Sequence, residues 1–307
     1  MKIDDLPVCI IGAGSSGLAT AKSLKERGVA FDCFEIGSDI GGMWRYENDN
    51  GLSSAYRSLH IDTSRDNLGY SDFPIPSTYP DFLSHAQVIE YFEAYVAHFD
   101  LRRHIQFNTR VEKVERNAQD NSWTVYLASG ASHRYRAVIA ANGHLWDPRW
   151  PDFPGTFDGE AIHSHHYRTA EPFLGKNVLV VGIGNSAVDV AVDVCKQAQS
   201  TTLSTRRSAW IMPKYIMAHL PGLYAVGLVQ PIGPTIPLVE IQAQWLGEVL
   251  AGKMSLPARD RMEEEVDRHY RQLQKRYVGS ARYTLEVDFR EYAGQLRADM
   301  RAGQAGV

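Results

Sequence analysis

An α/β fold is predicted: a three-layer, doubly wound parallel sheet with a β-meander, and inserted in it a second, truncated unit of the same kind. Three observations carry this. Short apolar runs suited to buried strands alternate with stretches of helical periodicity. Two glycine-rich turns, at 12–17 and 182–187, each join such a run to a helix. The second turn has one strand-like run before it and only one after it before the pattern returns to that of the first unit.

At 307 residues the chain is long enough for two domains. Its composition, 44% hydrophobic and 22% charged with 25 Gly and 14 Pro, is that of a globular protein. Lys and Arg total 32 against 36 Asp and Glu, a net charge of −4, so no basic face for a nucleic acid is expected. No apolar run reaches the roughly 18 residues of a membrane span, because Pro and Gly break the most apolar stretch, 221–239. The first strand-like run starts at Val8, too early for a signal peptide before it. Cys9, Cys33 and Cys195 leave an odd thiol and show no CxxC spacing, so a reduced, cytoplasmic protein without a disulfide framework is expected.

The elements follow in order. Residues 8–11 (VCII) read as a strand, and Leu18, Ala19, Ala21 and Leu24 as the apolar side of the helix after it. Residues 30–35 (AFDCFE) close a βαβ unit. Over 84–99, Val88, Phe92, Tyr95, Val96 and Phe99 share one helical face, and Ser84 with Gln87 fits a capping box. Between 105 and 135 the runs become short and alternating, as in a meander. Residues 137–141 (AVIAA) form another buried strand, and 147–155, with three Pro and one Gly, reads as a linker. The second unit has strands at 177–181 and 201–205 and a helix over 188–196. A strand at 223–226 and helices over 237–250 and 258–277 complete the chain. Acids and bases alternate through 258–301, which suggests a solvated helix face or the surface of a homodimer.

The glycine turns point to ligands. In a dinucleotide-binding (Rossmann-like) unit the first glycine allows the tight turn, the second lets the backbone approach a pyrophosphate, and the third lets helix and strand touch. Gly12, Gly14 and Gly17 fit these roles, with Ser15 opening the helix. Glu35, 23 residues after Gly12, stands where a carboxylate accepts ribose hydroxyls. An ordinary strand–helix turn would leave Glu35 unexplained. The second turn has Gly182, Gly184, Asn185 and Ser186, with Ala187 in the third place. Its second strand ends in Ser204, Thr205, Arg206 and Arg207, groups that suit a 2′-phosphate, although arginines at a strand end also suit plain solvation. FAD is therefore expected at the first turn and NADPH at the second, an arrangement for passing electrons between cofactors. His163, His165 and His166, with His144, lack a matching carboxylate or cysteine set, and no metal is expected.

Between the turns stands FDGEAIHSHHY, 157–167. Through Phe157, Gly159, His163 and Tyr167 it resembles the FxGxxxHxxxY fingerprint of the flavin-containing monooxygenases; Baeyer–Villiger monooxygenases carry Trp where Tyr167 stands. FEIGSDIGGMW (34–44), SDFPIP (71–76), GIGNSAVD (182–189) and GLVQPIGPTIP (227–237) agree, so the resemblance covers nearly the whole chain and is to a bacterial-type, class B member. The resemblance implies that NADPH reduces FAD and that O2 adds to give a C4a-hydroperoxyflavin. A small-molecule substrate with a soft sulfur or amine nitrogen then takes the distal oxygen. It also implies that Gly42, Trp44, Gly227 and Gln230 lie near the flavin and that Val111 contacts the adenine through its backbone. For Trp44, core packing is the common alternative. Asp62 falls where the family often has Asn beside the reactive flavin edge, which makes it the candidate catalytic position. An ionised Asp cannot donate the hydrogen bond that an Asn can.

The expected division is a discontinuous FAD-binding domain, 1–170 and 219–307, around a partial NADP-binding domain, 171–218. A segment of roughly 45 residues cannot bury a core of its own, so either the chain is a shortened member, natural or engineered, or the second unit leans on the first or on another subunit. Two other readings stay open: Baeyer–Villiger oxygenation, against which Tyr167 speaks, and a flavin-binding protein whose turnover is lost or leaks electrons to O2 as an NADPH oxidase.

Overall fold

The computed structural model describes residues 3–182, 184–204, 223–225, 230–232, 235–254, 260–261, 264, 268 and 286–304. β1 (Val8–Ile11) leads through the first glycine turn into α1 (Ser15–Glu26) and back to β2 (Phe31–Phe34). A long loop carries the short α2 (Arg65–Leu68) and ends in α3 (His85–His98), where Ser84 and Gln87 form the expected capping box. β3 (Ile105–Gln106), the meander of β4 (Val111–Arg116), β5 (Trp123–Leu127) and β6 (Ser132–Tyr135), and β7 (Ala137–Ala140) come next. β8 (Asn177–Val181), α4 (Asn185–Val194) and β9 (Ser200–Ser204) make the second unit. β10 (Leu223–Ala225), β11 (Gln230–Ile232), α5 (Thr235–Leu250), β12 (Glu286–Asp288) and α6 (Phe289–Gln304) follow.

Five parallel strands in the order β10-β7-β1-β2-β3 form the central sheet. β1 lies in the middle, from Val8 opposite Phe31 and Ala137 to Ile11 opposite Phe34 and Ala140. The chain winds outward from β1 on both sides, so the topological switch point falls where the first glycine turn begins. Strand side chains alternate between faces. Val8, Ile10, Phe31, Cys33, Ala137 and Ile139 enter the main core with apolar residues of α1, α3, α5 and α6. Cys9, Phe34 and Val138 meet Trp123, Val125, Leu127 and Tyr135 of the meander side. The three layers are thus helices, sheet and meander, and burial on both faces is why these strands read as continuous apolar runs. Asp32, the charged residue of β2, accepts a hydrogen bond from Tyr135 Oη at 2.9 Å.

α5 returns to lie along α1. Ser23 Oγ donates to the Ala243 carbonyl at 2.8 Å, and Arg27 grips Glu248 Oε1 through Nε at 2.9 Å and a terminal nitrogen at 2.6 Å. A Cβ on Gly247 would sit 2.4 Å from Ser23 Oγ, so glycine is what lets the helices close. Buried Glu240 accepts from Ser71 N and Ser71 Oγ, each at 2.6 Å, which ties α5 to the SDFPIP loop.

β8 and β9 pair in parallel from Asn177 opposite Ser200 to Val181 opposite Ser204, and the sheet they form has two strands among the described residues. One face is covered by α4; on the other, Leu179 and Val181 stand 61% and 57% exposed. Boundaries moved slightly from the sequence reading: β9 starts at Ser200, and α4 starts at Asn185 rather than 188. β12 and α6 were not foreseen. Glu286-Val287-Asp288 has one apolar residue and no alternation to mark it. α6 corrects the solvated-face expectation for its stretch, since Tyr292, Ala293 and Leu296 are buried in the main core. Most of the helix expected over 258–277 lies outside the described residues. No helix among the described residues is long and apolar enough to cross a membrane.

Candidate functional site

The first glycine turn is pinched between two strand ends. Gly12 has φ +102°, its N–H donates to the Phe34 carbonyl at 2.8 Å, and a Cβ there would lie 2.6 Å from the Ala141 carbonyl oxygen. A Cβ on Gly17 would lie 1.9 Å from the Gly12 carbonyl oxygen. These two glycines are demanded by the fold itself. Gly14 differs: an added Cβ would meet nothing nearer than Gly42 Cα at 3.9 Å. Gly14 is also the N-cap of α1, and no side chain caps the helix. The first-turn N–H groups of α1, starting at Ser15, therefore present their positive end to open space, as an anion site requires.

Glu35 stands beside this opening, 3% exposed. Its Oε2 accepts from Ala13 N at 2.7 Å and its Oε1 from Gly37 N at 2.8 Å. Two backbone donors hold the carboxylate at the end of β2, against the glycine turn. Gly42, at φ +53°, closes the near wall, with its would-be Cβ 3.3 Å from Gly14 Cα. Trp44, on the 3₁₀ turn Gly42–Trp44, is half-buried against the main core, and Val111 opens β4 at the rim of the meander core. Gly12, Gly14, Ser15, Gly17, Glu35 and Gly42 are thus brought together.

The second turn repeats the first. Gly182 has φ +124° and donates to the Ser204 carbonyl at 2.8 Å, as Gly12 does to Phe34. Val181 stands opposite Ser204 just as Ile11 stands opposite Phe34. By this register Thr205 is the sequence counterpart of Glu35, so the carboxylate of the first site is replaced by a hydroxyl residue followed by Arg206 and Arg207. α4 also begins on an uncapped glycine, Gly184, ahead of Asn185 and Ser186. Residues 205–207 and Gly227 lie outside the described residues, and Gln230 is described as the first residue of β11, opposite Glu286 of β12.

Between the turns, the loop after β2 meets α4. Asp62 accepts from the Asn185 side-chain amide, so the candidate catalytic position touches the second turn. Protein crowding on one side, and the Asp189 carboxylate nearby, push the Asp62 carboxyl above its ordinary value. Tyr56 Oη donates to Asp189. Ser58 Oγ and Tyr167 Oη both donate to Asp193 Oδ2 at 2.7 Å. Burial opposes ionisation of Asp193, but the bonds from Tyr167, Ser58 and Lys196 outweigh it and hold the carboxyl below its ordinary value. The sequence reading missed Tyr56, Ser58, Asp189 and Asp193. The available signal was VDVAVD, two acids one helical turn apart in an otherwise apolar helix.

The fingerprint segment serves this contact. Gly159 leaves room for the Phe157 ring, which a Cβ would approach to 2.5 Å. His163 Nδ1 accepts from His165 N at 3.1 Å and caps the 3₁₀ turn Ser164–His166; the His165 ring meets the Leu145 carbonyl at 3.0 Å. Arg168 donates to the Ser53 carbonyl at 2.9 Å, tying the segment to the loop below. Among the described residues no three His, Cys, Asp or Glu side chains converge as a metal set would.

Comparisons with known proteins add to this geometry. A family model described as flavin-binding monooxygenase-like matches residues 6–222 and 215–303. Flavin-containing monooxygenase 5 of Rattus norvegicus is 27% identical over 427 aligned positions, covering 92% of this chain and 80% of the relative. The alignment is longer than the 307-residue chain, so a stretch of the relative has no counterpart here, and the family match falls into two segments that overlap over residues 215–222. Dimethylaniline monooxygenase (N-oxide-forming) 2 of Mus musculus is 39% identical over 219 residues, 67% of this chain and 41% of that one. Among solved structures, S-allyl-L-cysteine S-oxygenase from Allium sativum superposes with a TM-score of 0.85 at 26% identity, covering 96% of this chain and 88% of that one.

Proposed function

The chain belongs to the flavin-binding monooxygenase-like family, and from that premise we propose that it is an NADPH- and FAD-dependent monooxygenase that oxygenates soft nucleophiles, sulfur or amine nitrogen. The observation that carries the reading is the pair of uncapped, glycine-led helix starts, one faced by the buried Glu35 carboxylate and the other opening from a glycine turn tied to the Ser204 carbonyl. The first suits the ribose and pyrophosphate of FAD, and the second, with Arg206 and Arg207 next in sequence, suits the 2′-phosphate of NADPH. Bound FAD, supplied with electrons by NADPH, would furnish the oxygen chemistry. The chain's own part is to hold and orient. Gly14 leaves the backbone open to the phosphates, Glu35 stands ready at the ribose position, and Asp62 with Asn185 lies where the two parts meet. Sulfur and amine nitrogen are favoured because relatives bear the names S-oxygenase and N-oxide-forming monooxygenase. On this reading 1–170 with 219–307 binds FAD, and 171–218 binds NADPH.

The test is turnover of the FAD-loaded chain with a thioether and with a tertiary amine. Sulfoxide or N-oxide formed in step with NADPH and O2 consumption is the expected result. A second reading, uncoupled oxidation of NADPH, is favoured by the bare Leu179–Val181 face of the short second unit, which leaves that unit open to water. All electrons recovered as hydrogen peroxide, with no oxygenated product, would establish it in place of the first.

A further inference from the structure

Among the described residues the second unit meets the first through exposed ion pairs, Arg57 with Glu171 and Lys176 with Glu160, and through a small apolar core. Its shared core with the first part is small: Tyr56, Tyr167, Ala170 and Val194 are the buried members. Leu179 and Val181 on the sheet and Val188 and Val192 on α4 stand bare, 43–61% exposed. Apolar contact is non-directional, so this core cannot by itself fix how α4 is rotated or how far it slides. Hydrogen bonds to carboxylates are directional and stronger than neutral ones. α4 carries two such acceptors one turn apart, Asp189 and Asp193, on the side facing the first part. The Tyr56 and Tyr167 rings meet edge to face, 5.6 Å apart at 63°, and their hydroxyls reach Asp189 and Asp193 respectively. Ser58 adds a second donor to the same oxygen of Asp193 at 2.7 Å. Asn185, at the start of the helix, is held by Asp62. The contacts run along the length of α4, from its first residue to Asp193 near its end.

We propose that Asp189 and Asp193 are positioning residues: by holding the hydroxyls of Tyr56, Ser58 and Tyr167 they set the second glycine turn at a fixed place relative to the flavin-binding part. The fingerprint tyrosine thereby acts through α4 and touches no reactant. This inference rests on the NADPH- and FAD-dependent reading and assigns a task to residues that reading leaves idle. If it holds, weakening the contact leaves NADPH able to bind its own turn, but spoils the approach of its nicotinamide to the flavin.

The experiment uses the FAD-loaded chain with Tyr167→Phe and the double variant Tyr56→Phe/Tyr167→Phe, which keep both rings and their packing. Hydrogen exchange over residues 185–198 is expected to quicken about tenfold in the double variant, with α1 unchanged, as loss of charge-assisted bonds requires. In anaerobic stopped-flow with NADPH, the limiting rate of flavin reduction should fall about tenfold, while the half-saturating NADPH concentration moves less than about twofold. Reduction by dithionite should not change. Unaltered exchange over 185–198 overturns the latch. Faster exchange with an unaltered limiting rate overturns the positioning role. A wild-type flavin that NADPH does not reduce overturns the reading beneath the proposal and the positioning role with it, and is recognised before any variant is made.

Discussion

Gly17 and Gly14 look alike in the sequence, yet the fold asks different things of them. Gly17 is closed off by the Gly12 carbonyl, whereas a Cβ on Gly14 would meet only Gly42 Cα, at 3.9 Å. Gly17→Ala must force the turn apart, and we expect loss of flavin retention together with about 1–3 kcal/mol of stability, read by flavin release on heating. Asp62 shows what one carboxylate can do at a junction. Its folded value is raised above the ordinary 3.8, so its favourable contribution is present below that value and is lost as pH rises through the raised one. Asp62→Asn should therefore gain stability relative to wild type as pH climbs above 3.8, with the difference levelling off once the raised value is passed. An advantage that grew toward acid would contradict this. The same substitution supplies a donor and should change the fraction of NADPH oxidation that ends in hydrogen peroxide. Much at this scale was legible. Gly12, Gly17 and Glu35 follow from motif spacing, because a tight turn and a carboxylate have local signatures. Tyr56 and Ser58 were hidden, because their partners Asp189 and Asp193 lie 133 and 135 residues away.

Among the elements, α1 and α5 form the joint between the two ends of the chain. Both helices are apolar on the shared side, and the Ser23–Ala243 bond and the Arg27–Glu248 pair fix their register. Gly247→Ala would place a methyl 2.4 Å from Ser23 Oγ and 3.0 Å from Arg27 Cδ, so helix separation and a loss of about 1–3 kcal/mol are expected in thermal unfolding. Retention of FAD at low temperature should survive, since the first glycine turn lies at the other end of α1. The strands of the central sheet and the capping box of α3 were readable because apolar runs and Ser-x-x-Gln spacing are local signals. β12 and α6 were not. The strand is three residues long, and in the helix the regular spacing of Phe289, Tyr292, Ala293, Leu296 and Met300 is overlain by the alternating charges of its stretch.

For the molecule as a whole, the first part is a three-layer assembly, and among the described residues the second has two strands and meets the first through α4. The strand count in the sequence already pointed to this shortage, and the family match falls into two segments that overlap over residues 215–222. What the sequence could not convey is how the second part is held, because that depends on carboxylates on one helix meeting hydroxyls from two distant loops. If the proposed function holds, this short unit still delivers electrons from NADPH to a flavin held by the larger one. Anaerobic mixing of the FAD-loaded chain with NADPH tests it most directly. The flavin absorbance band is expected to bleach at a rate that saturates with NADPH. A band unchanged at millimolar NADPH, in protein whose flavin dithionite still reduces, would contradict it.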